Sequence, residues 1–169
     1  MCCAKAAAAT LLLSLSVAAC PATGQGVGGA GFSAVQTDRV AQSLSADIAL
    51  CRTVAAPYGP DCYRQAYSAA ARILSNNAAY WEAKVALQRV DRQLSAFLSE
   101  ATDRSARRLK AGGRRLVAVE PARLTEAAAL LAEATARAET LLRSGSPAER
   151  THFAAIADAV STTGGLASP

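Results

Sequence analysis

The stretch from Asp47 to Leu74 reads DIALCRTVAAPYGPDCYRQAYSAAARIL, and its pattern decides the fold. Leading into it, Val40, Leu44, Ile48, Cys51 and Ala55 recur at steps of three and four, the spacing that lines one face of a helix. Pro57-Tyr58-Gly59-Pro60-Asp61 interrupts that pattern with two prolines and a glycine, a turn. Asp61 suits the N-cap of a second helix, whose first turn holds Cys62. Two helices joined by so short a turn should lie antiparallel.

Downstream the pattern stays helical, with no convincing strand. Tyr63, Tyr67, Leu74, Ala78, Trp81 and Val85 share one helical face, while Leu87, Val90, Leu94, Phe97 and Leu98 fall opposite, and Tyr80 points away from the first set. The stripe changes sides near Ala86. A break at Asn76-Asn77 produces this, and so does a continuous helix whose halves meet different neighbours. One long helix, kinked or not, is expected to about Ala111, where Gly112-Gly113 offers a stop. Residues 114–120 (RRLVAVE) suit a short extended run, and Pro121 suits the first position of a third helix. That helix buries Leu124, Ala128, Leu131, Thr135, Ala138 and Leu142 and pairs Glu133 with Arg137 and Glu139 with Arg143 outside. Ser146-Pro147-Ala148-Glu149 is a capping box with proline at its first helical position, ahead of Phe153, Ile156, Ala157 and Val160. The expected fold is all-α: an antiparallel three- or four-helix bundle with one long central helix over residues 34–163, closed by Gly164-Gly165 and a frayed tail over 164–169. Its core is thin, because alanine dominates the buried faces.

The beginning of the chain carries a different signal. After Lys5 an apolar run of about 14 residues, Ala6 to Ala19, ends in small residues, shorter than the roughly 20 needed to span a bilayer. Val17-Ala18-Ala19-Cys20 resembles the lipobox of bacterial lipoproteins. The resemblance implies that residues 1–19 are a signal peptide removed before Cys20, and that Cys20 carries lipid and anchors the protein to a membrane. An ordinary signal peptide, or palmitoylation at Cys2 and Cys3, are the rival readings. In lipoproteins of Gram-negative bacteria an Asp after the cysteine favours the inner membrane. Pro21 stands there instead, so the periplasmic face of the outer membrane is expected. Residues 20–33 form a Gly-rich linker, whose overlapping GxGxxG matches lack the strand and helix of a dinucleotide site.

With Cys2 and Cys3 removed and Cys20 lipidated, as the resemblance implies, Cys51 and Cys62 remain, an even pair in an oxidising compartment, and a disulfide between them is expected. A ten-residue spacer is not the Cys-x-x-Cys of redox or zinc sites.

No catalytic constellation is visible. His152 is the sole histidine, HExxH and GxSxG are absent, and the acids are scattered singly, so no enzyme, metal or cofactor is expected. Charge is more telling. Arg104, Arg107, Arg108, Lys110, Arg114, Arg115 and Arg123 face one acid, Glu120, within twenty residues, while the rest of the mature chain is slightly acidic. Arginine's planar fork suits phosphate and carboxylate, so these seven are candidate anion- or partner-binding residues. The bland alternative is a solvated face that complements a helix dipole. The signal peptide removes nucleic acid as a partner. An envelope protein or anionic envelope component is expected, bound by a non-enzymatic scaffold. A small inhibitor or accessory subunit of a periplasmic enzyme is the alternative.

Overall fold

Ser33 opens the first helix: its hydroxyl accepts the Gln36 N–H at 3.4 Å, satisfying one of the amides that a helix start leaves free. The structure, a computed structural model, describes residues 31–164. In chain order it has α1 (Ala34–Cys51), α2 (Gly59–Ile73), α3 (Trp81–Ala101), the strands β1 (Leu109–Ala111) and β2 (Arg114–Leu116), α4 (Leu124–Arg143) and α5 (Pro147–Gly164). Single 3-10 turns at Ala56–Tyr58, Ala78–Tyr80 and Pro121–Arg123 lead into α2, α3 and α4. The chain is an all-α bundle in which each helix packs on the next and α5 returns to α1. The proposed signal peptide, Cys20 and most of the linker lie outside the described residues, as does the tail beyond Gly164.

The single long helix does not form. It stops at Ile73, and Asn77 starts a new turn: its Oδ1 accepts from the Ala79 N–H at 3.0 Å, while its Nδ2 donates to Gln36 Oε1 at 2.8 Å. Asparagine competes for backbone groups in this way more effectively than it sustains a helix. The break converts one helix into the antiparallel pair α2 and α3. It also resets the phase, which exchanges the environments of Tyr80 and Trp81. Tyr80 is wholly buried, whereas Trp81, expected beside Tyr63 and Tyr67, is 57% exposed. With the break, five helices run alternately up and down, so the closing pair α5 and α1 is parallel rather than antiparallel. The second helix also begins earlier than expected, at Gly59. Asp61 therefore lies inside its first turn and does not cap it.

Contacts at the helix ends define two poles. At one, where α1, α3 and α5 begin, the Tyr80 hydroxyl donates to the Ser33 carbonyl at 2.7 Å and accepts the Ser33 N–H at 3.0 Å, with the Thr37 hydroxyl 2.8 Å away. Phe32 stacks on His152 and meets Tyr80 and Phe153 edge-on. The other pole, about 27 Å away along α1, holds the turn from α1 to α2, the end of α3 and the two strands. There the Cys51–Cys62 disulfide is present, Cα to Cα 5.5 Å.

Among the described residues, 12 of the 33 buried apolar side chains are alanine, so helices approach closely while each position buries little surface. Tyr67, fully buried, spans α2 to α5 through Thr163 Oγ1 at 2.8 Å, and burial holds its phenol far above the usual ionisation range despite that hydrogen bond. The capping box at α5 is reciprocal: Ser146 N–H donates to Glu149 Oε2 at 2.7 Å, and Glu149 N–H donates to Ser146 Oγ at 3.3 Å. Gly112-Gly113, expected as a helix stop, is instead the two-residue turn of a β-hairpin. Both glycines have positive φ (54° and 74°), the geometry such a turn requires.

Two outcomes follow. Substituting both cysteines with Ser removes the constraint on a loop of 11 residues' separation and should lower the unfolding free energy by about 3 kcal/mol, read as an earlier urea midpoint. Gly112→Ala must adopt a left-handed backbone and displace the Leu50 side chain, whose Cδ2 lies 2.2 Å from the added Cβ. It should cost about 1–2 kcal/mol, read as an earlier urea midpoint.

Candidate anion-binding site

The seven candidate cations are sorted by the hairpin. Its register pairs Leu109 with Leu116, Lys110 with Arg115 and Ala111 with Arg114. Alternate residues of a strand face opposite sides, so Leu109, Ala111, Arg114 and Leu116 turn inward, and Lys110 and Arg115 turn outward side by side. Arg114 is consumed internally, its Nη2 donating to Asp47 Oδ2 on α1 at 2.5 Å. Arg123 is likewise engaged: it pairs with Glu126 at 2.5 Å and lies over the Phe97 ring, 5.0 Å from its centroid. The Glu126 partnership raises the Arg123 pKa and lowers that of Glu126. These two residues therefore leave the set of candidate ligands. Arg104, Arg107, Arg108, Lys110 and Arg115 are exposed and form no salt bridge among the described residues.

Arg108 and Arg115 converge on a shallow polar depression of about 390 Å³ between α2, α3 and β2. Arg64, Gln65, Ser95 and Ser99 complete its wall, and Asp61 lies at its base. Sequence reading missed Arg64 and the two serines. Ser95 and Ser99 stand one helical turn apart beyond Asp91, a spacing that could have marked a common face. Arg64 is held by its own acids, at 2.8 Å from Asp61 and 3.5 Å from Asp91. The unpaired charge facing the depression is that of Arg108 and Arg115, with Lys110 beside Arg115.

The loop that presents these cations is pinned at several points. Asp61, 2% exposed, accepts from Arg64 Nε at 2.8 Å, Gln65 Nε2 at 3.0 Å and the Val117 N–H at 2.9 Å. Gln65 Nε2 also donates to the Arg115 carbonyl at 3.1 Å, and the Tyr58 hydroxyl donates to the Arg107 carbonyl at 2.7 Å. Val119 N–H donates to the Pro57 carbonyl at 2.8 Å, and Val119 bridges to Thr102. Upstream, Asp103 Oδ1 gathers the Ser105 N–H and hydroxyl, at 2.8 and 2.6 Å, and the Ala106 N–H at 3.2 Å. These bonds, the Ser105 hydroxyl's foremost, lower the pKa of Asp103.

A second, apolar groove of about 550 Å³ lies beside the disulfide. Val54, Pro60 and Tyr63 form one wall, and Leu124, Ala128 and Leu131 of α4 form the other. Its lining includes Arg52, Tyr63, Thr125 and Thr163 but no acid or histidine. Burial raises the Tyr63 pKa, and Arg52 opposes the shift. Among the described residues no three His, Cys, Asp or Glu side chains gather to hold a metal. His152 packs its ring on Phe32, 4.8 Å between centroids, at the other pole. No family model, curated protein or solved structure matches the chain.

Asp61→Asn removes a buried charge that accepts three hydrogen bonds and places an amide donor among donors. It should destabilise the fold by about 3 kcal/mol and accelerate hydrogen exchange at the Val117 amide ahead of the bundle amides. Uniform exchange across the domain would show that Asp61 is not the hairpin's hold.

Proposed function

We propose that the chain is a lipid-anchored, non-enzymatic protein of the bacterial cell envelope, at the periplasmic face of the outer membrane, which binds an anionic partner through Arg108, Arg115 and Lys110, with Arg104 and Arg107 at the margin. The anchor is supported by the lipobox-like Val17-Ala18-Ala19-Cys20, and the outer-membrane placement by Pro21. No helix among the described residues is long and apolar enough to cross a membrane.

The observation that carries the binding reading is the Lys110–Arg115 pair. Like charges directly opposite on a two-strand ladder are destabilising. A hairpin of three-residue strands has little stability to spare, and yet this one is fixed in place by Asp61, Gln65 and Tyr58. A rigid scaffold that holds cations together is preorganised for an anion, because the side chains' supports need no ordering on binding. Arg108 and Arg115, with the Ser95 and Ser99 hydroxyls nearby, suit carboxylate or phosphate oxygens. An accessory subunit of an envelope enzyme is the special case in which the partner's acidic surface occupies this site.

The full chain should co-sediment with purified peptidoglycan sacculi, or bind lipopolysaccharide, in a manner that weakens as salt rises. Replacing Arg104, Arg107, Arg108, Lys110 and Arg115 together with Ser changes only exposed positions and should leave the circular dichroism spectrum intact. Affinity should fall at least about tenfold. Affinity equal to that of the unmodified chain for every such anion would remove the site.

A further inference from the structure

The chain enters the bundle at a fixed point. Asn77 Nδ2 donates to the Gly31 carbonyl at 3.1 Å, Tyr80 clamps both backbone groups of Ser33, and Phe32 is stacked on His152. All of these contacts lie at the pole opposite the hairpin.

Three large apolar side chains are exposed among the described residues: Val35 at 78%, Trp81 at 57% and Leu141 at 38%. Val35 is in the first turn of α1, Trp81 is the first residue of α3, and Leu141 is in the last turn of α4. Each is therefore at the end of its helix nearer the entry pole, away from the hairpin. Isolated surface hydrophobics need no explanation, but these three, from three helices, all stand at one end of the bundle. Lys84 holds its ammonium over the Trp81 ring, 5.5 Å from the centroid. An aromatic ring with a cation over its face suits the boundary where lipid acyl chains meet headgroup phosphates.

We infer that this pole, through Val35, Trp81 and Leu141, docks on the bilayer that carries the anchor. The occupant is the lipid surface because of chain length. Gly31 lies eleven positions after Cys20, a stretch that fully extended spans at most about 40 Å. A surface held that close to its ligand acts at high effective concentration, so a contact of a few side chains suffices. Arg39, Arg72, Lys84, Arg143 and Arg150 at this end are nearly balanced by Asp38, Glu82, Glu139 and Glu149. Apolar insertion rather than charge therefore drives the contact, and it persists at salt concentrations that release the hairpin's partner. The inference rests on the lipid at Cys20 proposed above.

Trp81 is the only tryptophan in the chain, so its emission reports on this surface alone. The full acylated chain is reconstituted into vesicles of phosphatidylethanolamine and phosphatidylglycerol, with and without lipid brominated near the headgroup end of the acyl chains. Docking should reduce Trp81 emission by about twofold in the brominated vesicles and shift it to the blue, with no reversal in high salt. Val35→Ser with Leu141→Ser should largely restore the emission, while Arg108→Ser should leave the quenching unchanged. If the protein floats with the vesicles, its Cys20 peptide carries the mass of the lipid and the emission is unquenched, the docked surface is overturned and the anchor stands. If the peptide carries no lipid and the protein does not float, the anchor and the surface that depends on it both fail.

Discussion

The carboxylate of Asp61 is the joint on which the hairpin pole depends. It is buried, and a lone buried charge would be costly. Three donors from two segments meet it instead: Arg64 and Gln65 from its own helix and the Val117 amide from the chain beyond β2. Its position in the first turn of α2 adds the favourable end of the helix dipole. The neighbouring Cys51–Cys62 bond fixes that turn against the end of α1, so the carboxylate stands on the most constrained part of the chain. The hairpin could not supply this rigidity by itself, since two strands of three residues are marginal in water.

What could be read from the sequence was whatever depends on local spacing. The stripe from Val40 to Cys51, the cysteine pair across the Pro57–Asp61 turn and the Ser146–Glu149 capping box each lie within a few helical turns, and each appears as expected. Less legible were the places where one local signal has two physical solutions. The change of apolar face near Ala86 fits either a bent helix or a break. Asn77 selects the break because its side chain finds partners at Gly31 and Gln36, residues distant in sequence. Gly112-Gly113 ends a helix or turns a hairpin with equal ease. The hairpin forms because Leu109 and Leu116 have an apolar core to face and Arg114 has Asp47. The basic segment was visible as a charge count, but strand parity separates Arg114 from Arg115, and no count along the chain contains that distinction.

An alanine-rich interior makes the two poles unequal partners of the core. Small side chains pack helices closely without contributing much buried area, so specific polar clips carry more of the fold's definition than they would in a leucine-rich bundle. Tyr80 is the clip at the entry pole, and Asp61 is the clip at the other. Each gathers groups that are distant in the chain. Tyr80 meets Ser33 and Thr37 across more than forty residues, and Asp61 meets Val117 across 56. With the entry pole held toward a membrane, the hairpin faces away from it. The headgroups of that same membrane are then poor candidates for the basic site, and carboxylates or phosphates deeper in the envelope are better ones.

Such an arrangement couples binding to the hairpin's own stability. Lys110 and Arg115 repel one another across the ladder, and in the free protein Asp61 and Tyr58 offset that repulsion. An anion seated between the two cations turns the repulsion into attraction, so the bound hairpin is more stable than the free one by the linkage that governs any ligand selective for the folded state. If the entry pole docks on the membrane as inferred, its apolar contact, about 27 Å away, is not altered by what the hairpin binds. A protein built in this way can stay docked while it captures and releases, since the forces at its two ends respond to different conditions.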